Sequence, residues 1–342
     1  MEITRISLDA PYLLYLGDAP DLHHCKTGSG IAYWRPERCA GQMRQPDCPV
    51  DIGLPEMTVQ DAADADVKTV IVGVAPMGGQ IPQHWIPDLI ELAKAGMNIA
   101  AGLHSKLRDI PELVVAAEAS GARVIDVRIP PSGISVGDGR LRSGKRVLMV
   151  GTDCAVGKKY SALALHRELD RRGINTTFRA TGQTGIMITG EGIPVDAVVA
   201  DFISGAAEML SPDNDDHHWD VIEGQGSLLN PSYSAVSLGL LHGSQPDAIV
   251  LCHDVERKQI DDSGGDYPIP QLDEVIDDAL RMARLTRPQC FCAGVSVNTS
   301  SMSDFDRDMY LSRLRDELGL PCVDPVATGM SPIAEFLLKY AQ

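Results

Sequence analysis

Aromatic residues are scarce in this chain, making up 5% of its 342 positions. Its cores must therefore be built from aliphatic side chains and alanine. No apolar run approaches the ~18–20 residues of a membrane span. The opening Met1-Glu-Ile-Thr-Arg-Ile-Ser-Leu-Asp9 has neither the basic head nor the apolar centre of a secretory leader. A cytoplasmic protein without a membrane partner is the expectation. Cations are also few, 30 Lys and Arg against 47 Asp and Glu, and the net charge of −17 argues against a general nucleic-acid binder. Eight cysteines are present, but there is no CxxC and no paired metal spacing. They read as reduced, buried small hydrophobes, Cys290-Phe-Cys292 in an apolar run included.

Glycine (32) and proline (22) are plentiful, as many short strand-to-helix turns require, and the length suits two domains better than one. The sharpest break in composition is Ile129-Pro-Pro-Ser-Gly-Ile-Ser-Val-Gly-Asp-Gly139. It can continue neither a helix nor a central strand, which places two domains at 1–135 and 136–342. Upstream, Tyr12–Leu16, Thr69–Val74, Asn98–Ala101 and Arg123–Val127 read as strands. Pro87–Ala95 and Pro111–Ser120 read as helices ended by Gly96 and Gly121. Downstream, strands are expected at Arg146–Val150, Thr176–Arg179, Ala197–Ala200, Val221–Glu223, Ala248–Cys252 and Ala293–Val297, with helices at Lys159–Arg172 and Gln271–Arg284. This alternation implies two α/β domains with parallel sheets. The turn Gly73-Val-Ala-Pro-Met-Gly-Gly79 follows a strand but is no GxGxxG, so a plain turn and a ligand loop both stay open.

Chemistry concentrates at Val150-Gly-Thr-Asp-Cys-Ala-Val-Gly-Lys-Lys-Tyr-Ser161. An apolar strand enters a glycine turn that opens a helix, so backbone N–H groups, the helix dipole and Lys158 converge on an anion. Gly151, Asp153, Cys154, Ala155, Val156, Gly157, Lys158, Lys159 and Tyr160 are the expected binding residues. A standard P-loop follows its lysine with a Ser or Thr hydroxyl that holds Mg²⁺; here Lys159 stands in that place. Ser161 carries a hydroxyl, but each helical position turns a side chain by about 100°. Phosphate anchoring without phosphoryl transfer, and without a metal, is the expectation. Cations crowd the flanks of the loop (Arg142, Lys145, Arg146, Arg167, Arg171, Arg172), whereas none occurs between Ala180 and Glu256.

Other strand ends carry polar sets. Arg179-Ala-Thr-Gly-Gln-Thr-Gly185 combines a guanidinium with hydroxyls and an amide, suited to a small carboxylate. Arg179, Thr181, Gln183 and Thr184 are expected to bind substrate, with Gln225 of Glu223-Gly-Gln-Gly-Ser227 and His104 of the first domain. Glu223 and Asp201, each read as ending a strand, are the candidate catalytic acids. His242 and His253 are possible proton carriers without a distinguishing spacing. Asp213-Asn-Asp-Asp-His-His218 lacks the glycine and closing glutamate of a calcium loop and reads as a solvated loop.

On Gly151-Thr-Asp-Cys-Ala-Val-Gly-Lys158, Thr181-Gly-Gln-Thr-Gly185, Asp201-Phe-Ile-Ser-Gly-Ala-Ala-Glu208 and Ile222-Glu-Gly-Gln-Gly-Ser-Leu-Leu229, with Gly102-Leu-His104, the chain resembles the D-glutamate N-acetyltransferase (DgcN-type) family of P-loop proteins. The resemblance spans nearly the whole chain. It implies an N-terminal Rossmann-like α/β domain, a C-terminal P-loop NTPase-like parallel α/β domain and a homo-oligomer. It further implies acetyl transfer from acetyl-CoA, a co-substrate, to the amino group of D-glutamate. The C-terminal domain is also similar to dethiobiotin synthetases, in which the Glu-Gly segment binds metal. The alternative is accordingly an ATP- and Mg²⁺-dependent kinase or ligase acting on a small carboxylate.

Overall fold

Strands of an all-parallel sheet are covered on both faces and read as nearly unbroken aliphatic runs, and the central strands of this chain's sheets have that texture. The computed structural model describes residues 8–22, 24–74, 76, 79–260 and 266–340. They form two units: those up to residue 130 together with 183–194, and those of 131–182 together with those from 195 onward.

The first unit holds β1 (Tyr12–Gly17), α1 (Lys26–Trp34), β2 (Cys39–Arg44), α2 (Val59–Asp64), β3 (Thr69–Val72), α3 (Ile86–Lys94), β4 (Asn98–Ala101), α4 (Pro111–Ser120) and β5 (Val124–Asp126). Its sheet order is β2-β1-β3-β4-β5, all parallel. Leu13, Tyr15, Ile99, Trp85 and Leu89 lie in its core. The turn from Gly73 to Gly79 includes Ala75, Met77 and Gly78, which lie outside the described residues.

The second unit holds β6 (Lys145–Gly151), α5 (Lys158–Arg171) and β7 (Thr176–Arg179). The chain then leaves it for α6 (Gln183–Thr189), which packs in the first unit, where Thr184 Oγ1 and Thr27 Oγ1 are 2.9 Å apart. It returns through α7 (Ile203–Leu210), β8 (Trp219–Ile222), α8 (Ser234–Ser244), β9 (Ala248–Asp254), α9 (Leu272–Ala283), β10 (Phe291–Asn298), α10 (Asp304–Leu318), β11 (Cys322–Val323) and α11 (Ser331–Tyr340). The order β11-β10-β9-β6-β8-β7 is again all parallel. The chain builds β7 and β8 on one side of β6 and then crosses to build β9, β10 and β11 on the other, so the crevice at the carboxyl end of β6 is the topological switch point where such sheets bind ligands.

One expected strand is absent. Ala197–Ala200 forms no strand; the segment makes 3₁₀ turns at Val195–Ala197 and Ala200–Phe202 that lead into α7. With no sheet position to bury it, Val199 stays exposed. Cys290 and Cys292 are buried at the start of β10, and all eight cysteines are free thiols. Among the described residues no helix is long and apolar enough to cross a membrane.

Candidate functional site

The site grows from the carboxyl end of β6, which places Gly151 opposite Cys252 of β9 and runs beside β8. The turn after Gly151 carries two left-handed residues, Ala155 at φ +55 and Gly157 at φ +97. A side chain at position 157 would be strained, so glycine is required there. Gly157 caps α5 without a side-chain hydrogen bond, and no acid occupies the first turn. The uncapped N–H groups and the helix dipole favour an anion at this end.

Lys158 opens α5 and is buried; its Nζ donates to the carbonyl of Asp153 at 2.7 Å. Burial pulls its pKa below the ordinary lysine value, against the nearby carboxylates of Asp153 and Glu223. An anion arriving in the turn would restore what burial takes away. Lys159 lies 5.3 Å from the centre of the Tyr160 ring. Ser161 turns into the sheet, its Oγ 3.0 Å from the Gly157 carbonyl and 2.8 Å from Ser296 Oγ. The hydroxyl missing from the place of Lys159 is therefore not supplied by Ser161.

On the β8 side, Glu223 is buried just past the strand end. Its Oε2 accepts the N–H groups of Thr181 (3.0 Å) and Gly182 (3.1 Å). Thr181 Oγ1 donates to the Glu223 carbonyl at 2.8 Å and accepts from Gln225 Nε2 at 3.1 Å. Burial pushes the Glu223 carboxyl up from its ordinary pKa, opposed by the charge of Lys159 and by the two N–H donors. Lys159 thus acts electrostatically on Glu223. On the β9 side, His253 Nδ1 lies 3.0 Å from Thr152 Oγ1, and burial lowers its pKa to about 4. Ser227 Oγ donates to the Thr152 carbonyl at 3.1 Å.

The residues 151–160 form one continuous loop and helix start, and Glu223, Thr181 and Gln225 gather on the β8 flank. The other expected site residues are placed differently. Asp201 sits exposed on a 3₁₀ turn rather than at a strand end. Arg179 does end β7, but its Nε donates to the buried Asp220 at 2.8 Å. Arg179 is in register with Ile222, two residues beyond Asp220, so the guanidinium leans back along the sheet away from the carboxyl edge. Its Nε is thus paired with Asp220, which also accepts from Ser211 Oγ. Gln183 and Thr184 belong to α6 in the first unit. His104 is exposed there, with its Nε2 2.6 Å from Arg128 Nη1.

The cations flanking the loop in sequence do not gather on it. Arg142, Lys145 and Arg146 stand at the amino end of β6, where the Arg142 guanidinium donates to the carbonyls of Glu208, Ser211, Gly243 and Ser244. Arg171 and Arg172 stand at the far end of α5 and bind Glu168. Strand and helix directions separate groups that sequence places together. Two further residues complete the loop instead: Asn230 and Arg257 both contact the Asp153 side chain. Arg257 had a sequence signal, as the first cation after the cation-free stretch.

Residues 37–130 match the N-terminal DUF1611 domain, described as Rossmann-like, and residues 135–334 match the C-terminal DUF1611 domain, described as a P-loop domain. The chain belongs to the DUF1611 family. A crystal structure of a DUF1611 family protein from Anabaena variabilis is similar at TM-score 0.84 and 30% identity, covering 96% of this chain and 99% of that one. Two curated relatives named D-glutamate N-acetyltransferase are also similar. That of Tritonibacter scottomollicae is 48% identical over 330 residues, 96% of this chain and 99% of its own. That of a Pseudoalteromonas species is 44% identical over 329 residues, 96% of this chain and 98% of its own. The fold is thus an N-terminal Rossmann-like domain followed by a P-loop domain.

Proposed function

We propose that this DUF1611 protein transfers the acetyl group of acetyl-CoA to the amino group of D-glutamate. The observation that carries the proposal is a P-loop in which Lys159 replaces the metal-binding hydroxyl and acts on a buried Glu223. The names of the two full-length relatives give the acceptor and the group transferred. The loop N–H groups with Lys158 and Lys159 suit the phosphates of CoA, which need anchoring but no γ-phosphate activation. An ammonium in the place of that hydroxyl offers a divalent ion no ligand.

The acceptor ammonium must lose a proton before its nitrogen can attack. Glu223 Oε2 is held by two N–H groups, while Oε1 accepts no hydrogen bond among the described residues. In this reading Oε1 takes the proton. The amine forms the new N–C bond at the thioester carbonyl, the C–S bond breaks, and the CoA sulfur leaves with its electron pair and picks up a proton. N–H groups of the glycine turns suit the oxyanion that develops between those events. A homo-oligomer in the cytoplasm accompanies the proposal, tested by light scattering and by cell fractionation.

The test is thiol release from acetyl-CoA with a panel of D- and L-amino acids. Release is expected with D-glutamate and should be unaffected by EDTA. Glu223→Gln should lower kcat by roughly 10²–10⁴-fold, the range of general acid–base catalysis. Because the base acts deprotonated, kcat/KM should rise with pH through a pKa above the ordinary 4.5 of glutamate, and the variant should lose that limb. ADP release from Mg·ATP without thiol release would replace this reading with that of a kinase or ligase.

A further inference from the structure

The sheet of the first unit, in the order β2-β1-β3-β4-β5, has a switch point of its own between β1 and β3. A Rossmann-like domain receives the diphosphate of a nucleotide there, on the first N–H groups of the helix that follows β1. In this unit that helix is α1. Its start has the usual attraction for an anion: the N-cap Cys25 makes no side-chain bond, and no acid lies in the first turn. The third residue is already engaged, however. Gly28 N–H donates at 2.8 Å to the carbonyl of Gly73, which follows the end of β3. A Cβ on Gly28 would stand 3.3 Å from that carbonyl oxygen, and one on Gly73 would stand 3.0 Å from Gly28 Cα. Helix start and strand end touch backbone to backbone, which leaves no gap for a diphosphate. Thr27, one residue earlier, is buried, with its Oγ1 2.9 Å from Thr184 Oγ1 of α6.

The neighbouring strand ends are closed as well. At β1, the indole of Trp85 lies so close over Gly17 that no side chain fits there, and its Nε1 donates to Asp18 at 2.7 Å. Beyond β3, the Gly79 carbonyl accepts the N–H groups of His104 (3.0 Å) and Ser105 (3.1 Å), which ties this loop to the one after β4. At β4 the space belongs to α6. A Cβ on Gly102 would lie 2.6 Å from Gln183 Cβ and 2.8 Å from Gln183 Cγ. Glycine at 102 is thus what lets α6 sit down, with Ile186, Met187 and Ile188 buried behind that contact. An entering diphosphate would have to break the Gly28–Gly73 bond, part Thr184 from Thr27 and lift apolar side chains of α6 back into water.

We infer that α6 is the resident occupant of the first unit's nucleotide crevice, and that this Rossmann-like unit binds no dinucleotide, flavin or CoA. The unit keeps the sheet order and the switch point of a nucleotide-binding domain, but the ligand it holds is a helix of its own chain. Nucleotide recognition falls to the second unit alone, whatever group that unit transfers.

Two measurements on the intact chain test this. The first is hydrogen–deuterium exchange with and without an excess of NADPH, FAD or CoA. Exchange at 25–30, 73–74 and 102–105 should keep its ligand-free rate with all three, and any protection should fall on the P-loop at 151–160. Protection of the first-unit segments by any of the three overturns the inference. The second is a double-mutant cycle of Gly102→Ala and Gln183→Gly, read as denaturation midpoints. The alanine Cβ collides with two atoms that Gln183→Gly removes. Gly102→Ala should therefore lower the midpoint in the wild-type background and lower it less in the Gln183→Gly background. Equal losses in the two backgrounds, or no loss in either, would mean that α6 does not fill the end of β4, and the crevice would stand open to a ligand.

Discussion

Buried titratable groups on the two flanks of the P-loop are held in opposite senses. Burial raises the Glu223 carboxyl and lowers the His253 imidazole, so each group is biased towards its neutral form. For His253 the consequence is thermodynamic. Its folded pKa of about 4 lies below the ordinary 6.5, so the unfolded chain takes up a proton first as pH falls. Its contribution is fully present above pH 6.5, declines as pH falls towards 4, and is constant below that. The span corresponds to about 3 kcal/mol at most. Denaturant melts at pH 7 and pH 4.5 should therefore show a smaller loss of stability in His253→Gln than in wild type, and equal losses would remove His253 as a source of acid sensitivity. None of this was legible in the sequence, where His242 and His253 looked alike. What marks out His253 is its burial at the end of β9, where Thr152 meets it because β6 and β9 are neighbours.

Between elements, what sequence conveys well is periodicity and what it conveys poorly is direction. The aliphatic runs of β3, β4, β6 and β9 and the apolar stripe of α9 were readable, and so was the anion-binding turn between β6 and α5. β2, Cys-Ala-Gly-Gln-Met-Arg, was not read, because an edge strand carries too little aliphatic signal. Arg179 was placed at a strand end, but the lean of its side chain towards Asp220 depends on the register of β7 with β8. The apolar Val198-Val199-Ala200 imitated a strand that has no partner. One contact between elements was invisible for another reason. A Cβ on Gly224 would lie 1.7 Å from the Met149 carbonyl oxygen and 3.0 Å from Lys158 Cδ. Gly224 is what allows the end of β8 to close on β6 and on the P-loop lysine. Gly224→Ala should destabilise the protein by ~2–3 kcal/mol, the cost of overpacking, and weaken CoA binding along with it. An unchanged denaturation midpoint would mean that β8 can shift without loss.

At the scale of the whole chain, sequence order and structural units do not coincide. The proline- and glycine-rich break at 129–139 marks one transition, but residues 183–194 return to the first unit. This stretch includes α6, with Ile186, Met187, Ile188 and Ile193 all buried. Gln183 and Met187 lie against Gly102 at the end of β4. Burying an aliphatic side chain of this size stabilises by ~1.5–3 kcal/mol, so α6 has a real stake in the first core. Residues 131–342 expressed alone would carry these four side chains without that core, and should aggregate or bind a hydrophobic dye strongly. The cure follows from the base of the excursion, where Val195 N–H donates to the Thr181 carbonyl at 3.0 Å. Those two backbones already meet, so a short Gly/Ser linker in place of 183–194 can join them without pulling Thr181 away from Glu223. That shortened chain should be soluble and silent to the dye. Residues 131–342 proving as soluble and dye-silent as the intact protein would mean that α6 does not depend on the first unit for its burial.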